Sequence, residues 1–133
     1  MIVDSSAWID FLRRAQSPVA AALRAGIADP RTPLLTTDVI RLEVLSGADR
    51  QPVRSLINSA LAGCESVTQL PRADVDDAIE LFQFCRRRGE TITSPSDCLI
   101  AAIAIRVDAP VLHADRDFDV LTRHTALRSV ALS

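Results

Sequence analysis

The chain has 133 residues, 48% of them hydrophobic and 4% aromatic, with 15 basic residues against 17 acidic ones and a net charge of −2. That length suits one domain over residues 1–133, with a core of Ala, Leu, Val and Ile. The charge balance excludes a protein that coats nucleic acid through bulk positive charge, and no apolar run approaches the ~20 residues of a membrane span.

Taken in order, Ile2 and Val3 are a short apolar run ended by Asp4, which reads as a strand with a carboxylate at its carboxyl end. Ser5 or Ser6 then suits the cap of a helix over Ala7–Arg14. Ser17-Pro18 opens a second helix to about Arg24, with Gly26 as its stop. Asp29 to Pro33 is a turn, and Leu34-Leu35 a second strand. Thr36 or Thr37 caps a helix through Leu45, and Pro52 to Leu61 is another. Glu65 to Leu70 reads as a strand. Pro71 to Arg88 is a long helix with Val75, Ala78, Ile79, Phe82 and Cys85 on one face. Ser94-Pro95-Ser96-Asp97 is the strongest helix start, with a cap, a proline in the first turn and a carboxylate at the third position. That helix runs to about Val107 and is apolar nearly all round, so it belongs in the body. Pro110 opens a strand that empties into Asp115, Asp117 and Asp119, an acidic turn. Leu127 to Leu132 reads as a last strand. Strands alternating with helices argue for a parallel sheet with helices on both faces.

In such a fold Asp4 and Asp115 leave the carboxyl ends of strands, where open α/β sheets place their sites. The helix from Pro95 runs antiparallel to the next strand, which carries Asp97 to the same edge. Glu43 lies on a face shared with Val39, Ile40 and Gly47, an inward face where a carboxylate needs a partner. Each acid has a plain alternative: Asp4 and Asp97 as helix caps, Glu43 as a partner of Arg41 or Arg50, Asp115 as a turn residue. Four acids on one edge would repel and raise one another's pKa. A hard divalent cation relieves that conflict, and all-oxygen ligation suits Mg2+ or Mn2+. The cysteines Cys64, Cys85 and Cys98 are odd in number and form no CxxC, which fits small buried apolar residues. The N-terminus has no signal-peptide layout, so a cytoplasmic protein is expected.

The segments Ile-Val-Asp4-Ser-Ser6-Ala-Trp-Ile, Arg-Leu-Glu43-Val-Leu-Ser-Gly, Ser-Asp97-Cys-Leu-Ile-Ala-Ala and Leu-His-Ala-Asp115-Arg-Asp117-Phe-Asp resemble, in order, those of PIN-domain ribonucleases. Within that group the chain is similar to the VapC toxins of bacterial toxin–antitoxin pairs. The resemblance implies a three-layer α/β/α fold with a short parallel sheet of four or five strands and six or seven helices. It implies Mg2+ at Asp4, Glu43, Asp97 and Asp115, a less constant second-metal position at Asp117, and a supporting hydroxyl at Ser6. The implied reaction is hydrolysis of an RNA phosphodiester, in transfer or ribosomal RNA, by a metal-activated water. It also implies a hetero-oligomer with a VapB-type antitoxin on operator DNA, while the apolar surplus of Trp8, Phe11 and Leu12 on the first helix suggests a two-fold homodimer of the free toxin. Ser5 stands where Thr is frequent and Asp119 where Glu is frequent, and neither departure touches the metal set.

Arg13, Arg14 and Arg116 are the candidates for holding RNA, although basic helix ends also stabilise helices. The apolar surplus of Trp8, Phe11 and Leu12 marks the first helix as the antitoxin groove. Other readings have weaker support. A haloacid-dehalogenase-type phosphatase wants a second Asp where Ser6 stands, and a response-regulator receiver wants a Lys, which the chain lacks. A non-catalytic RNA- or protein-binding module with a structural ion is the remaining alternative.

Overall fold

Four two-residue strands, β1 (Ile2–Val3), β2 (Leu35–Thr36), β3 (Glu65–Ser66) and β4 (Val111–Leu112), form one parallel sheet in the order β3-β2-β1-β4. The computed structural model describes residues 1–13 and 16–132. Among these are the helices α1 (Ser5–Leu12), α2 (Pro18–Ala28), α3 (Asp38–Gly47), α4 (Val53–Ala62), α5 (Ala73–Arg87), α6 (Pro95–Arg106) and α7 (Arg116–His124). No described helix is long and apolar enough to cross a membrane.

Connectivity explains the layers. The chain steps from β1 to β2 to β3 in one direction, then crosses back to the far side of β1 to form β4. Right-handed crossovers therefore put α1 to α4 on one face and α5 and α6 on the other. Packing agrees: α1 lies on α2 and α3, whereas α5, α6 and α7 pack together. The crossovers diverge between β1 and β4, a switch point that opens a crevice at their carboxyl ends. Residue pairs Ile2–Val111 and Val3–Leu112 set the register there, and the Asp4 amide donates to the Leu112 carbonyl at 3.0 Å.

The core is aliphatic, as the composition requires. Ile2, Val3, Val111 and Leu112 are fully buried between the layers, with Trp8, Phe118 and Leu121 as the larger fillers. Helix α6 is buried on nearly all sides, from Cys98 to Ala104.

Several local expectations change. Asp4 itself caps α1, accepting from the Ser6 amide, so neither serine is the cap. Gly26 does not stop α2 but lies buried inside it; a Cβ there would come within 2.9 Å of Met1 Cε and 3.2 Å of Leu34 Cδ2. The strand expected over Glu65–Leu70 pairs only at Glu65–Ser66. The last strand reduces to one parallel bridge between Val111 and Ser129. The acidic turn is the first turn of a helix, α7, capped by Asp115. On α5, Ala78 and Cys85 face the core while Val75 and Ile79 are exposed.

Candidate active site

The crevice at the switch point is lined by acids from four elements. Asp4 follows β1, Glu43 lies on α3, Asp97 sits in the first turn of α6, and Asp115 and Asp117 bracket the start of α7. One carboxylate oxygen from each of Asp97, Asp115 and Asp117 lies within 4.8 Å of the other two.

Asp4 is 1% exposed. Its Oδ2 accepts from the Ser6 amide at 3.0 Å and the Ser6 hydroxyl at 2.6 Å, while Oδ1 is buried with no partner. The Ser6 Oγ in turn accepts from the Ala114 amide at 2.9 Å. One hydroxyl thus ties the end of β1 to the end of β4. Burial raises the Asp4 pKa against the hydrogen bonds from Ser6, and the Asp115 charge adds to the rise.

Asp97 is 4% exposed, and its Oδ2 also lacks a partner. Burial first, then the charges of Asp4 and Asp115, push its pKa up to about 9. At neutral pH the metal-free protein therefore holds a proton there. A carboxylate at this third helical position normally takes the amide of the capping residue. Here that amide, of Ser94, donates to Asp117 Oδ2 at 2.8 Å, and the Thr93 amide donates to Asp117 Oδ1 at 3.0 Å. Asp117 has taken the bond that a capping box would give Asp97, which leaves Asp97 free to face the other acids.

Asp115 Oδ1 accepts from the Asp117 amide at 2.9 Å. Behind it, the His113 ring packs on Phe118 with centroids 5.1 Å apart. Nδ1 of that ring accepts from the Asp115 amide at 3.3 Å, so the proton is on Nε2, which donates to Ser129 Oγ at 2.9 Å. His113 packs beside the site and orients Asp115.

Glu43 departs from its expected place. The buried face of α3 is Ile40 and Val44, and Glu43 is exposed as a residue. Its carboxyl end nevertheless turns toward the crevice, where Ser5 Oγ donates to Oε2 over a long 3.5 Å. Burial of that end, then the Asp4 charge, raises its pKa. Arg41 pairs with Asp38 instead, at 3.6 Å.

The weaker expectations divide. Arg116 is exposed beside Asp115 on the rim. Arg13 is exposed at the far end of α1 from Asp4, and Arg14 lies outside the described residues. Trp8 is buried, but with Phe11 and Leu12 it floors a groove of about 490 Å3 whose walls include Ile27, Val53 and Leu56. The Ser5 contact to Glu43 and the His113 contact to Asp115 were not anticipated; the only sequence signal for either is adjacency to an acid.

A sequence model of the PIN domain family matches residues 1–123. The chain is 34% identical over 137 residues to ribonuclease VapC11 of Mycobacterium tuberculosis and to VapC ribonuclease Mb1587 of Mycobacterium bovis, with 98% of each chain covered. The fold is similar to that of the VapBC2 complex of Rickettsia felis bound to a DNA fragment from its promoter, with TM-score 0.74 at 15% identity over 99% of this chain and 98% of that one.

Proposed function

The chain belongs to the PIN domain family and, within it, to the VapC-type toxin endoribonucleases, and from that premise we propose that Asp4, Asp97, Asp115 and Glu43 hold Mg2+ to cut RNA. One observation carries the reading. Two carboxylate oxygens, Asp4 Oδ1 and Asp97 Oδ2, are buried without partners beside further acids, and among the described residues no Arg pairs with any of the four. Such oxygens are costly unless a cation accepts them. The donor set is all oxygen, which fits Mg2+, with Mn2+ as its substitute.

When bound, the ion supplies a Lewis acid and an activated water for in-line attack on a phosphodiester. The residues do the rest. Asp117 fixes the Thr93 and Ser94 amides, so it orients the start of α6, and its carboxylate still lies within reach of an ion shared with Asp97 and Asp115. Ser6 locks Asp4 to the β4 edge. Asp97 must give up its proton to ligate, so metal affinity rises with pH. Arg116, on the rim, is placed to meet a phosphate of transfer or ribosomal RNA. Purified toxin should cleave RNA with Mg2+ and stop with EDTA, and Asp97→Asn should abolish cleavage while remaining folded. Full activity in that variant would sink the metal assignment.

A cytoplasmic nuclease needs an inhibitor. The Rickettsia felis complex supports a VapB-type antitoxin that joins the toxin on operator DNA. The apolar groove over Phe11 and Leu12, with Leu56 and Ile27 exposed on its walls, suits an apolar helix of that partner. Self-association has a different surface. A groove of about 370 Å3 between α5 and α6 is lined by Val75, Ile79, Phe82 and Leu99. Exposed Asp76, Asp77 and Glu80 precede exposed Arg86 and Arg87 on α5 and Arg88 just after it, so an antiparallel two-fold copy sets the acidic half against the basic end. Ile79→Glu should sediment as a monomer if this face joins two toxins.

A further inference from the structure

We infer that Glu90, gripped by Arg123 and His124, is a positioning residue for the Asp97 carboxylate. This rests on the reading above in which Asp97 holds the ion.

Helix α6 does not fix its own start. Ser94 occupies the cap position, but its side chain makes no cap bond and pairs instead with Ser96 Oγ at 2.8 Å. The start is held from outside, by the connection from α5 and by α7. That connection is fastened along its length. Gly89 reverses the chain at φ +84, a conformation glycine adopts without strain. The Glu90 amide donates to the Cys85 carbonyl at 3.1 Å. Ile92 is buried in the core. The Thr93 and Ser94 amides end on Asp117.

The Glu90 side chain supplies the remaining fastening. Arg123 donates to it through both Nη2, at 2.7 Å to Oε1, and Nε, at 3.3 Å to Oε2. His124 Nε2 reaches the same Oε2. The bidentate Arg holds the Glu90 pKa down, with His124 next. Arg123 and His124 are in the last turn of α7, and Asp117 is in its first. Both ends of one helix, about 13 Å long at 1.5 Å per residue, therefore grip one connection. Helix α7 acts as a splint between Asp115, which caps it, and Asp97, whose helix it anchors. Carboxylates that share an ion must be held to within about half an ångström of the binding geometry. Releasing Glu90 frees the middle of the splinted connection and lets the start of α6 shift against Asp4 and Asp115.

A merely structural clamp would act differently, and the molecule contains one. Asp74, fully buried, accepts from Arg106 Nε and Nη2 at 2.9 Å each, and Arg106 Nη2 also donates to the Thr68 carbonyl at 2.8 Å. This pair secures the last residue of α6, the end away from Asp97.

The experiment measures Mn2+ affinity by calorimetry and amide exchange in the metal-free full chain, for Glu90→Gln, Arg106→Lys and Asp97→Asn. Glu90→Gln should weaken Mn2+ binding about threefold to tenfold and speed exchange at the Thr93 and Ser94 amides. Arg106→Lys should lower the melting temperature yet leave Mn2+ affinity within about twofold of the parent. Should Glu90→Gln not fold, Arg123→Lys keeps the charge but loses the fork, and the same weakening is expected. Parental affinity in the Glu90 and Arg123 variants, with Asp97→Asn unable to bind, overturns the positioning role. So does equal weakening by Arg106→Lys. Parental Mn2+ affinity in Asp97→Asn instead overturns the metal reading on which the inference stands.

Discussion

A carboxyl group whose pKa stands at about 9 in the fold and 3.8 outside it makes metal-free stability depend on pH in a defined direction. Folded Asp97 keeps its proton where the unfolded chain has lost it. Its contribution is complete below the unfolded value and disappears as pH rises through the folded one, a window from 3.8 to about 9. Metal-free parent protein should therefore melt progressively lower between about pH 6 and about pH 9 in calorimetry. Asp97→Asn should flatten that slope. At neutral pH the parent already carries a neutral group there, so Asn relieves repulsion only toward the alkaline end. An unchanged slope would mean that Asp97 is ionised in the apo protein. Asp117 gives a second comparison. Asp117→Ala leaves two amides without acceptors, at a cost of about 1–3 kcal/mol each, so it should lose more thermal stability than Asp115→Ala. Asp115→Ala should lose more activity than Asp117→Ala, and the reverse order would redraw the metal set. In the sequence Asp117 looked like one more acid in a row. Nothing in that row says that amides 23 and 24 residues away complete its hydrogen bonds.

Helix α7 went unread for a related physical reason. Asp115, Asp117 and Asp119 suit a turn, but the same acids suit a helix start, where they complement the amide ends. Phe118 and Leu121, three residues apart and buried, were the periodic signal that decides between the two. Helices with a longer apolar stripe, α2 to α6, were legible to within a few residues. Strands of two residues barely register as a pattern, so the sheet order followed from no local sequence feature. Helix α1 shows how burial redirects an experiment. Trp8 is 1% exposed, and a Glu there would cost at least the roughly 3–5 kcal/mol of a lost core Trp, a large part of the 5–15 kcal/mol expected for the whole fold. Loss of antitoxin binding in Trp8→Glu would then report unfolding. Leu56, 65% exposed on the same groove, is the better probe. Leu56→Glu should change stability by no more than about 0.5 kcal/mol and still weaken the complex with the antitoxin. Normal binding by a folded Leu56→Glu protein would place the partner elsewhere.

Across the whole molecule most charges are balanced, and one place is not. The chain is nearly neutral, and other acids pair with arginines, yet the acids of the crevice have no Arg partner among the described residues. A crevice of unpaired carboxylates attracts any compact cation, and a guanidinium can bridge two of them. An antitoxin that lays a helix in the α1 groove and pushes an Arg into the crevice would use the ion's own ligands. Binding of the two is then linked, and linkage is reciprocal: what the Arg costs Mg2+, Mg2+ costs the antitoxin. Antitoxin affinity for the parent toxin should fall as Mg2+ is raised at constant ionic strength. The groove contact persists, so the fall should level off at a finite affinity. Asp97→Asn, which binds no ion under this scheme, should show antitoxin affinity independent of Mg2+. If the parent is equally indifferent, inhibition does not pass through the carboxylates, and the antitoxin must block RNA from the groove alone.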